Sequence, residues 1–177
     1  MRAVVGLGNP GPDYAATRHN AGFLLADAVA QHWQLPPFRR AERARATEGT
    51  VAGTPVRILK PTTFMNRSGA ALASLRADPS FDAARDLLIL VDDFQIPLGT
   101  FRFRPDGSAG GHNGLKSVEG ALQSQQYARL RIGVGPLPEG TGDWADYVLA
   151  PFEPAQLEEV EALMPAMIEA VEKWLKS

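Results

Sequence analysis

"DLLILVDD", residues 86–93, carries five consecutive apolar side chains between carboxylates. Strands buried on both faces read as continuous apolar runs, whereas half-exposed strands alternate. The stretch therefore predicts a buried strand that ends in two aspartates. "RAVVGL", residues 2–7, reads the same way, and "ARLRIGVG", residues 128–135, predicts a third strand. Between them lie segments of helical period. "NAGFLLADAVAQHW" predicts a helix with Asn20 as its N-cap, and "SGAALASLRA" a short helix of small residues. "GLKSVEGALQ" predicts another, and residues 154–176 a terminal helix with Leu157, Val160, Leu163, Met164, Met167, Ile168, Val171, Trp174 and Leu175 on one broad face. "RATEGTVAGTPVRILKP" predicts a hairpin around Gly53, and "GTFRFR" alternates like a strand. Strands and helices alternate without linker or repeat, so residues 1–177 form one α/β domain. Its sheet is mixed, because a hairpin interrupts the alternation.

Composition excludes several classes of function. The chain has 177 residues, 45% hydrophobic and 21% charged, enough for a proper core and unlike a disordered segment. No run of about eighteen apolar residues is present, and the first apolar stretch breaks at Gly6, which predicts a cytoplasmic protein with no membrane segment. With no cysteine and no HExxH spacing among three histidines, disulfides, thiolate nucleophiles and a histidine-rich metal site are not expected. The net charge of −2 hides segregation: residues 1–70 carry nine Lys and Arg against four Asp and Glu, whereas residues 136–177 carry two against nine. Such concentration is compatible with an anionic partner, and equally with solvated faces.

"GLGNPG", residues 6–11, satisfies G-x-G-x-x-G after a strand, yet it does not predict a dinucleotide cradle. That fingerprint needs its third glycine in the opening turn of a helix facing pyrophosphate. Pro10 and Pro12 bracket Gly11, remove two backbone donors and push their predecessors out of the α region. The loop instead presents Asn9 at the strand's carboxyl end. A base that titrates near neutrality is required for hydrolytic chemistry, and His19, in a loop between strand and helix, is the best candidate. His32 falls within an amphipathic helix, as a surface or packing residue. Asp92 and Asp93 lie where open α/β sheets place functional groups, and a carboxylate there can hold one imidazole nitrogen while the other takes a proton from water. No G-x-S-x-G elbow exists, so attack by an activated water is simpler than a covalent route.

"GLGNPGPDYAATRHNAG", "KPTTFMNRSG", "VDDFQIPLG" and "GSAGGHNGLKSV", in this order, resemble the bacterial peptidyl-tRNA hydrolase family over nearly the whole chain. The resemblance implies a single α/β domain with a twisted mixed sheet flanked by helices. It implies metal-independent, cofactor-free cleavage of the ester linking a peptide to the 3′ ribose of tRNA, by a monomer with peptidyl-tRNA as partner and no nucleotide cofactor. It places the catalytic histidine on His19, its aspartate on Asp92 and the loop asparagine on Asn9. Tyr14, Asn20, Met65, Asn66 and Asn113 match substrate-binding positions, and Arg102, Arg104 and Arg131 match basic tRNA-contacting positions. On this view the two His-Asn pairs differ: His19 is the base with Asn20 capping a helix or holding water, whereas Asn113 binds substrate and His112 fixes the glycine-rich loop. Arg102 and Arg104, two apart on a strand, point to one face. Gln95 stands where relatives usually carry an acid. RNA-binding relatives of the same fold, such as a chloroplast intron-splicing factor, give the alternative expectation of a binding protein.

Overall fold

A computed structural model describes residues 1–177. Its elements in chain order are β1 (Arg2–Gly6), α1 (Ala21–His32), β2 (Arg39–Ala41), β3 (Ala44–Val51), β4 (Thr54–Pro61), a 3₁₀ segment (Met65–Leu72) running into α2 (Ala73–Arg76), α3 (Ala83–Asp86), β5 (Leu87–Pro97), β6 (Phe101–Arg104), α4 (Asn113–Leu122), β7 (Ala128–Gly135), α5 (Trp144–Leu149) and α6 (Pro154–Leu175). The seven strands form one sheet in the order β2-β3-β4-β1-β5-β7-β6. β4, β1, β5 and β7 run parallel, while β2, β3 and β6 add antiparallel edges. The mixed α/β sheet is thus present as expected.

Alternation along the buried strands divides the core. Val4, Ile58, Leu88, Leu90, Leu130 and Ile132 pack against α1 and α6, while Ala3, Val5, Leu59, Leu87, Ile89 and Val91 face the 3₁₀ segment and α4. The parallel strands are apolar on both faces because both faces are covered. α6 buries Val160, Met167, Val171, Trp174 and Leu175, the face expected of it. No helix is long and apolar enough to cross a membrane.

Three local differences from the sequence reading matter for the site. The helix expected from "SGAALASLRA" begins earlier and as 3₁₀ geometry at Met65, because Gly69 lies flush against α4: a Cβ there would run into the Ser117 carbonyl, and the Gly69 N–H donates to Ser117 Oγ at 2.9 Å. β5 does not end at its aspartates. It pairs with β7 through Asp93↔Gly133, shifts register, and resumes at Pro97↔Gly135, where a Cβ on Gly135 would collide with the Phe94 carbonyl. Asn20 occupies the N-cap position of α1 without capping it, since its amide is drawn across to Asn9. The arginine-rich residues 39–45 supply the edge strand β2 and the start of β3, with β2 hidden in the sequence by its charges.

Candidate active site

The carboxyl ends of β1, β4 and β5 converge on one point. α1 begins so close to β1 that a Cβ on Gly22 would strike the carbonyls of Leu7 and Leu90. This closeness sets the 3₁₀ turn Arg18–Asn20 directly over Asp92 in β5. There His19 Nδ1 lies 2.8 Å from Asp92 Oδ2, with Asp92 only 2% exposed. On the other side of the same carboxylate, His112 Nε2 lies 2.9 Å from Asp92 Oδ1. His112 Nδ1 accepts from the Gly114 and Leu115 N–H groups at 3.0 and 3.3 Å, capping α4. A nitrogen that accepts carries no proton, so His112 has its hydrogen on Nε2 and donates it to Asp92.

Burial alone would raise the Asp92 carboxyl, but the charges and hydrogen bonds of His112 and His19 outweigh it and hold the group at about 2, below the ordinary 3.8. Asp92 is therefore ionised, and His19 must donate through Nδ1, leaving Nε2 as its free lone pair. A depressed carboxyl stabilises the fold above its unfolded value, and that contribution is lost as pH falls through the folded one. We expect this part of the stability, about 2 kcal/mol, to be complete above pH 4 and gone near pH 2. In Asp92→Asn, thermal midpoints measured between pH 4 and pH 2 should fall less steeply than in the unaltered protein; equal slopes would assign that acid sensitivity elsewhere.

His19 lines a cleft of about 400 Å³ with Asn9, Tyr14, Met65, Asn66 and Asn113, six of the residues expected at the site. Asn9 is oriented completely: its N–H donates to Asn20 Oδ1 at 2.9 Å, Asn20 Nδ2 donates to its carbonyl at 2.9 Å, and its Oδ1 accepts from Met65 N–H at 2.7 Å. Only Asn9 Nδ2 is left for a substrate. Asn20 thus holds Asn9 and lines a neighbouring recess of about 240 Å³ instead of the cleft. The "GLGNPG" loop indeed presents Asn9, and α1 starts ten residues beyond Gly11, which removes the helix terminus a dinucleotide would need.

Several wall residues escaped the sequence reading. Phe64, with φ of 60° and a half-exposed ring, meets Tyr14 edge-on at 6.1 Å, and its backbone outlier aims the Met65 N–H at Asn9. Such a conformation costs a bulky residue about 1–3 kcal/mol and is typical of functional loops. Trp144, Val148 and Leu149 of α5 close the far wall. Trp144 stacks on Phe94 at 5.7 Å, and buried Arg18 secures α5 by donating to the Tyr147 carbonyl while its guanidinium sits 4.1 Å from the Tyr147 ring. The position of Arg18 beside His19 was the only available signal for it.

The arginines lie to one side. Register pairs Arg102 with Arg131 and Arg104 with Arg129, so all four share one face of the sheet. Arg129 is fully buried under Tyr127 and holds the glycine-rich loop through the Ser108 carbonyl. Arg131 also donates to Ser108 at 2.8 Å and pairs with Asp93 at 3.3 Å, so its charge is partly committed within the fold. Arg102 and Arg104 are exposed and make no ion pair.

The peptidyl-tRNA hydrolase family profile matches residues 3–177. The chain is 43% identical to the peptidyl-tRNA hydrolase of Gemmatimonas aurantiaca over 177 residues, covering 99% of this chain and 93% of that protein. It is 42% identical to that of Desulfitobacterium hafniense, covering 99% and 94%. The crystal structure of peptidyl-tRNA hydrolase from Acinetobacter baumannii superposes with a TM-score of 0.90 at 29% identity, covering 99% of this chain and 89% of that one. With the profile matching residues 3–177, relatives above 40% identical over nearly the whole chain and a TM-score of 0.90 to a solved member, the chain belongs to the peptidyl-tRNA hydrolase family.

Proposed function

We propose that this protein hydrolyses the ester between a peptide, or an N-acylated amino acid, and the 3′ ribose of tRNA, using water activated by His19 and no metal. The observation that carries the reading is the ordered Asp92–His19 pair opening onto an amide-lined cleft. Asp92 fixes the ring through Nδ1, and Nε2 takes a proton from water as the oxygen attacks the ester carbonyl. Charge develops on the carbonyl oxygen, and Asn9 Nδ2 is the preoriented donor for it. As the tetrahedral intermediate collapses, the ribose 3′ oxygen leaves with the proton held by His19 Nε2. Asn66 and Asn113 each offer an amide donor and acceptor, which pair with a peptide backbone without reading side chains. A free α-ammonium leaves those groups mismatched, which favours N-acylated substrates over ordinary aminoacyl-tRNA.

His19, Asp92 and His112 each put one potential ligand atom within 4.8 Å of the others, the spacing of a metal cluster. These atoms already face one another as donors and acceptor, and the second nitrogen of His112 is occupied by α4. A cation would have to displace both imidazole protons, which supports metal-free chemistry. We further propose that the enzyme is a monomer and works in the cytoplasm, where peptidyl-tRNA is recycled. No observation favours the alternative of an RNA-binding protein without activity, which has no use for an oriented base.

The deciding experiment is release of N-acetyl amino acid from N-acetylaminoacyl-tRNA in excess EDTA. We expect an unchanged rate. Activity lost to chelator and restored by zinc or magnesium would overturn the metal-free reading, and no release under any condition would overturn the hydrolase reading.

A further inference from the structure

We propose that His112 is a positioning residue that clamps Asp92 from the side opposite His19 by donating through Nε2–H while α4 engages its Nδ1, so that the proton taken from water is held by His19 alone. The inference rests on the hydrolase reading above and concerns a residue that the sequence suggested only as a loop anchor.

Two imidazoles flank one buried carboxylate, with ring centroids 5.0 Å apart. If both could accept the transferred proton, charge would be shared between a ring that faces the cleft and one that faces away from it. The first turn of α4 removes that ambiguity. Gly114 and Leu115 both point N–H groups at His112 Nδ1, so a proton on that nitrogen would oppose two donors at the positive end of a helix. His112 can therefore only donate to Asp92 Oδ1, while Oδ2 is reserved for His19. With both oxygens engaged, the carboxylate cannot turn away from the base. The same side chain caps the helix whose first residue is Asn113, so one residue sets both the carboxylate and a substrate-binding amide.

Substitution separates the two contacts. In His112→Asn the amide oxygen takes the place of Nδ1 and still caps α4, but the side chain is too short to reach Asp92. We expect its thermal midpoint to fall less than that of His112→Ala, because the cap is kept and only the Asp92 contact is lost, while kcat on N-acetylaminoacyl-tRNA falls roughly ten- to hundredfold with little change in KM. His112→Ala should lose both thermal stability and kcat. A role confined to capping predicts instead that Asn restores both, and unaltered kcat in folded His112→Asn overturns the proposal. Ring ¹⁵N NMR gives a readout independent of turnover. His112 should show a protonated Nε2 and an unprotonated Nδ1 at the pH of the assay. Protonation of His112 Nδ1 there also overturns it. Failure of the hydrolase reading would be seen separately, as no release of N-acetyl amino acid by the unaltered protein under any condition.

Discussion

Replacing His19 with asparagine should lower kcat on N-acetylaminoacyl-tRNA by about a thousandfold, within the range for loss of a general base, while tRNA affinity and folding stay nearly unchanged. Asparagine is the informative choice because its amide can still donate to Asp92 Oδ2, as His19 Nδ1 does at 2.8 Å, and no buried acceptor is orphaned. What disappears is the lone pair on Nε2. His19→Ala removes the same lone pair but strips the buried carboxylate of one of its two donors, so part of any loss there is structural. Asp92→Asn should do less damage than either, because the base remains and only its orientation is weakened. The measurement is kcat and KM with tRNA binding followed separately. Near-native turnover in a folded His19→Asn variant would mean that another group activates the water.

How much of this was legible before the fold was known follows from the range over which each signal acts. The order of strands and helices was legible because apolar runs such as residues 87–91 state their own burial. The pairing of His19 with Asp92 was legible as chemistry, since a strand end beneath a loop histidine is where a carboxylate is useful. His112 was not, because its partner is fixed by how the glycine-rich loop folds back, with Gly110 and Gly111 at positive φ, and no local pattern encodes that. Asn20 misled for a related reason: it sits at a helix start, the place for a cap, but its amide finds a better partner eleven residues earlier in Asn9. β2 and α5 were missed because one is dominated by arginines and the other is six residues long, too short to show a period. Arg131 shows the limit of counting charges, since residue type alone does not reveal that Asp93 and Ser108 already engage it.

That limit reshapes what is expected of the tRNA surface. Arg102 and Arg104 stand exposed on the edge strand β6, opposite Arg131 and Arg129, and like charges directly across a ladder are unfavourable unless an anion offsets them. The two inner arginines are tied to the glycine-rich loop, so replacing them would disturb the walls of the active site and confuse two effects. The clean test is Arg102→Ala with Arg104→Ala. Each phosphate contact contributes roughly tenfold in affinity near 0.1 M salt, so the double variant should bind tRNA about a hundredfold more weakly. Its slope of log affinity against log salt should fall by about 1.4 to 1.8, because two counterion-releasing contacts are gone. Hydrolysis of a minimal N-acetylaminoacyl ester of adenosine, which reaches only the cleft, should proceed at the unaltered rate, since neither arginine lines that cleft. An unchanged salt slope would remove β6 from the tRNA path and leave the basic hairpin at Arg39, Arg40, Arg43 and Arg45 to be tested in the same way. Equal losses on tRNA and on the minimal ester would show instead that these arginines act through the fold of the site.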